Sequence, residues 1–448
     1  MNWQEYKQSI AENTLFEYID KQYQWGLSDD DNWTDKIPSN FCVAPFINME
    51  ITAEGTNRPC CKYHAFKLDD SAATVANTSL VKLYNSDELE SLREQFMRNE
   101  KPDKCKVCWV EEENSIQSLR QIHNYNWINK PSWGKPPEPK KVNFTQAFTG
   151  QPINLDLKLS NLCNLRCRIC GPWSSSQWLK DYNTLNFADK NTIKLWTENA
   201  KEKLLVNDEN KVILADWSTN IRRIEFFGGE PMMQQEHHDI LDLMIHSGAC
   251  KKQDLCYNTN GTVFSQDIIE KWFNFDFIVV NFSIDDIGQR FEYQRKNAVY
   301  QEVLSNLENY KLMSSLYNFK HKFCIYITVS IYNVFYLKEI IEELSYLEFP
   351  FILNILHHPN NLSIINIPSN MKKVITKKLR DIDHVNYHTQ TVKISDIIEF
   401  MNSKDYDMKE WIKFCNYNTQ VDELRSEKFK EIFPEFYESV LEEIPRIL

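Results

Sequence analysis

Six stretches of the sequence beyond residue 150 show the hydrophobic patterning of β-strands. Residues 153–159 (INLDLKL) alternate strictly between apolar and polar positions, and the other five are rich in β-branched and aromatic residues. The six predicted strands are 153–159, 221–227, 254–258, 275–284, 322–331 and 349–356. Segments with helical periodicity lie between them, at 235–246, 265–273, 298–313 and 334–346. This alternation predicts an α/β fold with a parallel sheet, a partial (β/α)6 barrel two strand–helix units short of an eight-fold one.

The rest of the chain divides into further regions around this predicted core. The predicted divisions are an N-terminal helical segment at 1–37, a cysteine-bearing module at 38–128, a proline- and lysine-rich linker at 129–150, the core at 151–368 and a helical, charged C-terminal region at 369–448. Within the module, Asn85 and Glu88 have the spacing of a capping box, which predicts that a helix starts there. Residues 185–220 form a long insertion within the core.

The net charge and the distribution of apolar residues exclude several classes of protein. The 448 residues carry a formal net charge of −12, which argues against a nucleic-acid partner bound by a broad basic surface. The N-terminus lacks the apolar core of a signal peptide, and no run approaches the ~18 apolar residues of a membrane span. We therefore expect a cytoplasmic protein that does not bind membranes. In that compartment, its twelve cysteines are expected to act as metal ligands or catalytic thiols before disulfides.

Three cysteines follow the first predicted strand within eight residues: Cys163, Cys167 and Cys170. Thiolates suit zinc and iron–sulfur clusters, and three of them leave one iron of a [4Fe–4S] cube free to bind a substrate group. Ile169, between the second and third cysteines, is apolar enough to shelter a cluster or to pack on a flat ring. A zinc site completed by a remote fourth ligand is the alternative that the spacing leaves open.

Polar and glycine residues follow the next three predicted strands, where α/β folds gather their ligands. They are Gly228, Gly229, Glu230 and Pro231 after the second strand, Thr259 and Asn260 after the third, and Ser283, Asp285 and Arg295 after the fourth. Glu230 can accept an ammonium group, and the guanidinium of Arg295 can bind a carboxylate. A ligand with an amino acid at one end and a nucleoside at the other, such as S-adenosylmethionine (SAM), matches all of these groups.

The motifs Cys-x3-Cys-x2-Cys, GGEP, TNGT and FSIDD…YQR occur in an order that resembles the radical SAM superfamily over about residues 150–360. The resemblance implies that Cys163, Cys167 and Cys170 hold a [4Fe–4S] cluster whose fourth iron binds the amino and carboxylate groups of SAM. It further implies ligand-binding roles for residues at the strand ends. Glu230 and the Gly228–Gly229 backbone would bind the ammonium, Ser283 and Arg295 would face the carboxylate and ribose, and Thr259 and Asn260 would line the same end. Ile169 departs from the aromatic residue that is usual in the family.

A second cysteine set lies in the N-terminal module: Cys42, Cys60, Cys105 and Cys108. With Gly55 before Cys60, and with a helix before the CKVC motif, this set is similar to the auxiliary modules called SPASM and twitch. The resemblance implies a second [4Fe–4S] cluster. A zinc ribbon built on the same four cysteines is the alternative, and Cys61 could replace Cys60 as a ligand.

The resemblance implies a reaction in which SAM is reductively cleaved and the resulting 5′-deoxyadenosyl radical abstracts hydrogen from a substrate. Oxidative modification of a peptide or protein is the favoured substrate class, and transformation of a small molecule such as a sugar or cyclitol is the alternative. Flavodoxin or ferredoxin is the expected electron donor. Two other classes stay open: a non-catalytic iron–sulfur or zinc protein, and an acid–base enzyme that uses His237, His238 or His357.

Overall fold

The structure is a computed structural model that describes residues 39–63, 73–113, 118–129, 150–317, 319–382 and 392–440. The predicted N-terminal helical segment, residues 1–37, and all but the ends of the predicted linker at 129–150 lie outside the described residues.

The described strands include all six that the hydrophobic pattern predicts. They are β1 (Asn48–Ile51), β2 (Asn57–Arg58), β3 (Asn154–Leu157), β4 (Arg166–Cys167), β5 (Arg223–Phe226), β6 (Asp254–Thr259), β7 (Phe277–Ser283), β8 (Arg295–Lys296), β9 (His321–Val329) and β10 (Phe351–Ile355). Strands β3, β5, β6, β7, β9 and β10 correspond to the six predictions. The short strands β1, β2, β4 and β8 are additional.

The helices between these strands also follow the predicted periodicity. The described α-helices are α1 (Ala44–Ile47), α2 (Leu80–Tyr84), α3 (Asp87–Met97), α4 (Lys106–Glu113), α5 (Leu119–Asn129), α6 (Trp178–Thr184), α7 (Lys190–Glu198), α8 (Asp208–Trp217), α9 (Gln235–Ser247), α10 (Gln266–Trp272), α11 (Gly288–Gln294), α12 (Tyr300–Tyr317), α13 (Leu337–Leu344), α14 (Ser369–Arg380), α15 (Ile394–Asn402), α16 (Met408–Arg425), α17 (Phe429–Ile432) and α18 (Pro434–Val440). The prediction of an α/β fold, a partial (β/α)6 barrel with a helical C-terminal region, is confirmed.

One local prediction is wrong. The capping box predicted at Asn85 and Glu88 does not form, because Ser86 is the N-cap of α3 and makes no side-chain capping bond. Asn85 instead ends the preceding helix α2, where its side-chain amide donates to the carbonyl of Val81. The two helices are separated by a single turn that the sequence spacing alone does not reveal.

The chain forms two compact units. The first comprises Met1–Asn161, Asn199–Tyr257 and Gln266–Ile278. Its strands lie in the order β6-β5-β3-β1-β2, in which β1, β3, β5 and β6 are parallel and β2 is antiparallel to β1. Strand β1 of the N-terminal module thus extends the sheet that β3 begins, which joins the module to the core through backbone hydrogen bonds.

The second unit comprises Leu162–Glu198, Asn258–Ser265 and Val279–Leu448. In it β10 pairs in parallel with β9, which neighbours β7, and β4 pairs antiparallel with β8. The described part of the C-terminal region packs its aromatic side chains together, with the rings of Phe429 and Phe433 4.9 Å apart at their centroids. This unit carries the cysteine triplet, whereas the first unit carries the four cysteines of the N-terminal module.

Candidate cofactor sites

The loop of the cysteine triplet is held against the chain that follows β7. Strands β4 and β8 form a two-residue antiparallel ribbon in which Cys167 lies opposite Arg295. The backbone N–H of Arg168 donates to the carbonyl of Gln294 at 2.7 Å, and the indole of Trp178 donates to the carbonyl of Cys167 at 2.9 Å. The structure therefore brings together two predicted site residues that are 128 positions apart in the sequence.

The sulfur atoms of this loop have N–H donors around them. Asn260 Nδ2 lies 3.8 Å from the sulfur of Cys163, and the backbone N–H of Leu165 lies 3.5 Å from the same atom. Arg295 Nη1 lies 3.9 Å from the sulfur of Cys167. Donors of this kind stabilise thiolate over thiol, which is the form that ligates metals.

The protonation of two of the thiols is linked. A hydrogen bond with Cys170, aided by the nearby Arg295 charge, lowers the pKa of Cys167, although burial opposes the shift. The same hydrogen bond, together with burial, raises the pKa of Cys170 well above its usual value. Cys167 is therefore the first thiolate of the pair, and a metal must displace the remaining proton.

The triplet supplies the three thiolates with which a [4Fe–4S] cube is held when one iron is left open. Cys163 and Cys167 are buried and Cys170 is half-buried, so the sulfurs are largely shielded from bulk water.

Arg295 has a protein carboxylate as its partner in this structure. Its Nη2 donates to Asp285 Oδ2 at 2.6 Å, while the other oxygen of Asp285 accepts from the backbone N–H of Thr328 at 2.8 Å. The Nε of Arg295 is buried and has no acceptor among the described residues, so one donor of the guanidinium is left for a further partner. A role for Arg295 at a SAM carboxylate stays a prediction.

The GGEP segment of the first unit is a tight, buried turn. Gly228 and Gly229 have φ values of +71° and +58°, which favour glycine. A Cβ on Gly228 would meet the Lys158 side chain at 2.2 Å, so the lysine lies across the glycine backbone. Glu230 is fully buried and caps the short 3₁₀ helix that begins at Pro231, with Oε1 accepting from the N–H of Met232 at 3.3 Å.

The other predicted cofactor-binding residues lie at strand ends. Thr259 is the last residue of β6 and Ser283 is the last residue of β7. The hydroxyl of Thr259 accepts from the N–H of Gly261 at 3.2 Å, and Asn260 holds the next turn by accepting from the N–H of Thr262 at 2.9 Å. Ile169 is half-buried within the triplet loop. Thr259 and Ser283 thus lie at the strand ends where the sequence pattern predicts them. The contacts of these residues with SAM stay predictions.

Sequence reasoning missed Arg168, which lies between the triplet cysteines. Its side chain is fully buried and donates to Asp422 at 2.5 Å and to Glu427 at 2.7 Å, both from the C-terminal region. The guanidinium also lies 3.6 Å from the ring centroid of Tyr293, and Tyr417 donates to the carbonyl of Arg168 at 3.0 Å. From the sequence alone, an arginine between cysteines is expected to be exposed to solvent. Only the folded structure shows that Arg168 forms ion pairs with the C-terminal region.

Gln234 and Asn164 were also missed. Gln234 Nε2 lies 3.4 Å from the carbonyls of both Gly228 and Glu230, and its Oε1 accepts from Ser160 at 3.1 Å. Asn164 accepts from Asn260 Nδ2 at 2.9 Å, which orients the amide beside the Cys163 sulfur. Nothing in the sequence distinguishes these amides from surface residues.

The four cysteines of the N-terminal module line a single cavity. Cys42, Cys60, Cys105 and Cys108 share its wall with Phe96, Tyr63, Ala44, Leu119, Lys62, Arg120 and His123. The cavity lies in a core of buried apolar side chains that includes Phe41, Phe46 and Trp109. The sequence prediction that these four residues come together therefore agrees with the structure.

Two alternatives were left open for these four cysteines: Cys61 in place of Cys60 as a ligand, and zinc in place of an iron–sulfur cluster. Cys61 is exposed and does not line the cavity, which favours Cys60 as the ligand. Four cysteine thiolates suit either zinc or an iron–sulfur cluster, so the cavity by itself leaves the zinc alternative open. Burial raises the pKa of Cys105 to about 12 and that of Cys108 above its usual value, so these thiols stay protonated until a metal displaces the protons.

The histidines of the acid–base alternative differ in their surroundings. His237 is fully buried, and its Nε2 lies 3.0 Å from the hydroxyl of Tyr257. Its neighbour His238 is partly exposed and lies 3.5 Å from Asp267. His357 is exposed and contacts Phe400, with ring centroids 5.0 Å apart. Of the three, only His237 is held in a fully buried hydrogen bond.

Comparison with family models identifies two domains in the chain. Residues 157–315 match the radical SAM superfamily, and residues 42–109 match the SPASM family, an iron–sulfur cluster-binding domain. The chain is a member of the radical SAM superfamily of enzymes. More particularly, it is a member that carries its SPASM domain before the core, with a [4Fe–4S] cluster and SAM as the cofactors of the core and auxiliary iron–sulfur ligation in the SPASM domain.

Curated relatives match only part of the chain. GTP 3′,8-cyclase of Yersinia pestis is 25% identical over 149 residues, which is 33% of this chain and 39% of that protein. GTP 3′,8-cyclase of Corynebacterium glutamicum (strain ATCC 13032) is 28% identical over 128 residues, 28% of this chain and 29% of that protein. The chain thus spans less than two fifths of the length of these curated relatives.

Solved structures that the chain matches in part include the following two. Native anSMEcpe with bound AdoMet is 17% identical, with 51% of this chain and 59% of that chain covered and a TM-score of 0.35. Streptococcus suis SuiB bound to precursor peptide SuiA is 10% identical, with 84% and 78% covered and a TM-score of 0.34. In the described part of the chain, no helix is long and apolar enough to cross a membrane.

Proposed function

We propose that this enzyme reductively cleaves SAM and oxidatively modifies a peptide or protein. The observation that carries the proposal is the pair of cysteine sets, one a triplet whose sulfurs lie beside N–H donors and the other a four-cysteine cavity in an apolar core. When bound, the cluster and SAM supply a 5′-deoxyadenosyl radical that abstracts a hydrogen atom from the substrate. An auxiliary cluster held by four thiolates has no free iron, which favours electron transfer over substrate ligation as its role.

The residues of the chain hold and orient these cofactors. Asn260 and Arg295 place N–H groups beside the sulfurs of Cys163 and Cys167, where they stabilise the negative charge of the thiolates. Glu230, fully buried after β5, offers a carboxylate for the ammonium of SAM. The left-handed backbone at Gly228 and Gly229 favours glycine, and the Lys158 side chain lies across it at Gly228.

A peptide or protein is favoured as substrate because SPASM modules accompany radical SAM enzymes that modify ribosomally made peptides. The curated relatives favour a second candidate, a nucleotide such as GTP. A nucleoside triphosphate carries several negative charges, and the net charge of −12 on this chain disfavours its approach unless a local basic pocket compensates. A sugar or cyclitol lacks this electrostatic penalty, and no contact of the described residues favours it.

The proposal is tested by anaerobic reconstitution of the full chain with iron and sulfide, followed by reduction with dithionite and addition of SAM. We expect about eight irons per chain, as two [4Fe–4S] clusters require, and formation of 5′-deoxyadenosine. About four irons would support the core cluster alone. Absence of 5′-deoxyadenosine from a protein with its full iron content would contradict SAM cleavage.

The substrate class is tested with the same preparation. A pool of synthetic peptides and, separately, GTP are incubated with the reduced enzyme and SAM, and the products are analysed by mass spectrometry. We expect a mass loss of two hydrogens in a peptide and an unchanged nucleotide. Conversion of GTP with unchanged peptides would overturn the peptide assignment. Replacing dithionite by flavodoxin or ferredoxin with its reductase tests the proposed electron donor.

A further inference from the structure

The side chain of Arg120 joins the segments that carry the cysteines of the N-terminal module. Arg120 lies in α5, and its side chain is 10% exposed. Its Nε and Nη2 donate to the two carboxylate oxygens of Glu112 at 2.9 Å and 2.7 Å. Its Nη1 donates to the carbonyl of Phe41, the residue before Cys42, at 2.7 Å. Because Glu112 lies in α4 together with Cys108, one guanidinium ties the segment of Cys42 to that helix.

The contacts of Arg120 fix the orientation of its guanidinium. A guanidinium that donates in parallel to both oxygens of a carboxylate is held in one plane. Nη1 also donates to the carbonyl of Ser39 at 3.2 Å, and the guanidinium carbon lies 5.0 Å from the ring centroid of Trp109. A lysine, with its single side-chain nitrogen, cannot make this set of bonds. The geometry therefore requires an arginine, apart from any need for its charge.

Arg120 also acts on two of the cysteine sulfurs. Burial raises the pKa of Cys42, and the positive charge of Arg120 is one of the effects that oppose this shift. Burial likewise raises the pKa of Cys108, and a hydrogen bond from the backbone of Arg120 opposes it. Both effects favour the thiolate, which is the form that ligates metals. Arg120 thus combines structural contacts with a direct electrostatic effect on the cavity.

The wall of the cavity carries positive charge. Of the described residues that line it, Lys62 and Arg120 are cations and none is a carboxylate. Each of the two cations has a glutamate of α4 as its partner, Glu111 for Lys62 and Glu112 for Arg120. The charges on the wall that the four cysteines share are therefore positive.

A positive charge on this wall changes how readily an iron–sulfur cluster in the cavity is reduced. A cluster held by four thiolates has a net negative charge, and one further electron adds to it. In the low effective dielectric of a buried cavity, a nearby cation offsets part of that charge. Loss of the cation should therefore make the reduced state less favourable and the midpoint potential more negative.

We propose that Arg120 is a positioning residue of the auxiliary cluster, which holds the Cys42 segment against α4 and raises the reduction potential of the cluster. This inference rests on the proposed function, since a higher potential favours the electron-accepting role of that cluster. The SPASM match ends at residue 109, so Arg120 lies outside the part of the chain that the family model covers. The two actions are separable, because the geometry depends on the fork of the guanidinium and the potential depends on its charge.

The test is a redox titration of the reconstituted full chain, followed by electron paramagnetic resonance. At a fixed potential, Arg120→Gln should lower the ratio of reduced to oxidised auxiliary cluster by about tenfold, a midpoint shift of about 59 mV. Arg120→Lys keeps the charge and should keep most of the midpoint potential. Arg98→Gln, which removes an exposed cation of the same module, should leave it unchanged. The core cluster in each sample is the internal control.

A second variant, Glu112→Gln, distinguishes the charge from the structural contacts. It removes the carboxylate charge beside Arg120 and keeps one oxygen as an acceptor, so the midpoint potential should become more positive. A purely structural role would shift no midpoint in a variant that keeps its iron. Opposite shifts in Arg120→Gln and Glu112→Gln would support the inference. Shifts of the same sign, or no shift in either variant, would overturn it.

Iron analysis covers a variant that loses its auxiliary cluster. Loss of about four irons from Arg120→Gln would support the positioning role, and the sign of the shift in Glu112→Gln would then decide the role of the charge. In that case an absent or negative shift in Glu112→Gln would overturn the inference.

Formation of 5′-deoxyadenosine by the unaltered chain is measured in the same preparation. If SAM is cleaved and the midpoints do not shift, the role of Arg120 is wrong and the proposed function stands. If SAM is not cleaved, the proposed function fails, and the titration still decides the role of Arg120. Uptake of zinc by the unaltered chain, without a reducible auxiliary cluster, would also overturn the inference.

Discussion

The two cysteine sets of this protein differ in their surroundings. The triplet lies in a loop rich in polar contacts, with N–H groups beside two sulfurs and Arg168 in a buried ion-pair network. The four-cysteine cavity adjoins an apolar core that includes Phe41, Phe46 and Trp109, and the cations Lys62 and Arg120 also line it. Hydrogen bonds to sulfur and the polarity of the surroundings set the potential and charge of a cluster. We therefore expect the two clusters to differ in reduction potential.

The comparison also shows how each loop is held in place. The triplet loop depends on the C-terminal region, because Asp422 and Glu427 supply the partners of Arg168. The auxiliary cavity depends on local packing within the N-terminal module, where Leu89, Leu92 and Phe96 of α3 form its apolar support. Four variants test this contrast, from the largest expected effect to the smallest.

The largest effect is expected from Cys167→Ala. Loss of one of three ligands should remove about four irons per chain and all 5′-deoxyadenosine, because no other thiolate can complete the core cluster. Iron analysis and product chromatography measure both. The control is Cys250→Ala, which changes a buried cysteine outside both sets and should keep both quantities. SAM cleavage by Cys167→Ala would show that the ligand assignment is wrong.

Next in size is Arg168→Met. This change leaves Asp422 and Glu427 without their buried cation, which should lower the free energy of unfolding by about 3 kcal/mol. Urea denaturation followed by circular dichroism measures the loss. Arg98→Met, at an exposed ion pair, should leave the midpoint unchanged. A loss below about 1 kcal/mol for Arg168→Met would mean that the C-terminal region does not hold the triplet loop through this residue.

A more selective effect is expected from Cys105→Ala. This variant should lose about four irons from the auxiliary site and still convert SAM to 5′-deoxyadenosine, because the triplet is intact. The matched control is Cys61→Ala, which removes an exposed thiol outside the cavity and should retain full iron. Iron loss in Cys61→Ala with full iron in Cys60→Ala would reverse the assignment of these neighbours.

The smallest effect is expected from Arg295→Gln. Loss of a positive charge beside the Cys167 sulfur should make the core cluster harder to reduce, so its midpoint potential becomes more negative. A redox titration followed by electron paramagnetic resonance measures the shift, and the auxiliary cluster in the same sample is the internal control. A positive shift, or an equal shift of both clusters, would contradict the distinction drawn between the two sites.

Sequence patterning was sufficient for the elements with strong periodicity. The strict alternation of residues 153–159 corresponds to β3, and the helical spacing of residues 235–246 corresponds to α9. Strand β1 was not predicted, because Asn48–Ile51 is too short to show a period and exists through pairing with β3. The capping box predicted at Asn85 was wrong because Ser86, the next residue, can also begin a helix. Ser86 is the N-cap of α3 in the structure.

Residues of the cofactor sites could be predicted where ligand binding requires a fixed spacing of residue types in the sequence. They could not be predicted where a residue acts only because the fold buries it. The triplet and the GGEP turn follow from cysteine and glycine positions. Arg168 and Gln234 have no signal in the sequence, because a buried arginine and a buried amide cannot be told from surface residues until the fold is known. Such residues are found only from their contacts.

The most direct test of the central claim is Mössbauer spectroscopy of ⁵⁷Fe-reconstituted Cys105→Ala protein, in which only the core cluster remains. The account predicts that added SAM changes the isomer shift of one iron in about four, because three irons are held by Cys163, Cys167 and Cys170 and the fourth takes the ligand. A spectrum that SAM leaves unchanged, with all irons equivalent, would contradict the claim that this triplet presents an open iron to SAM.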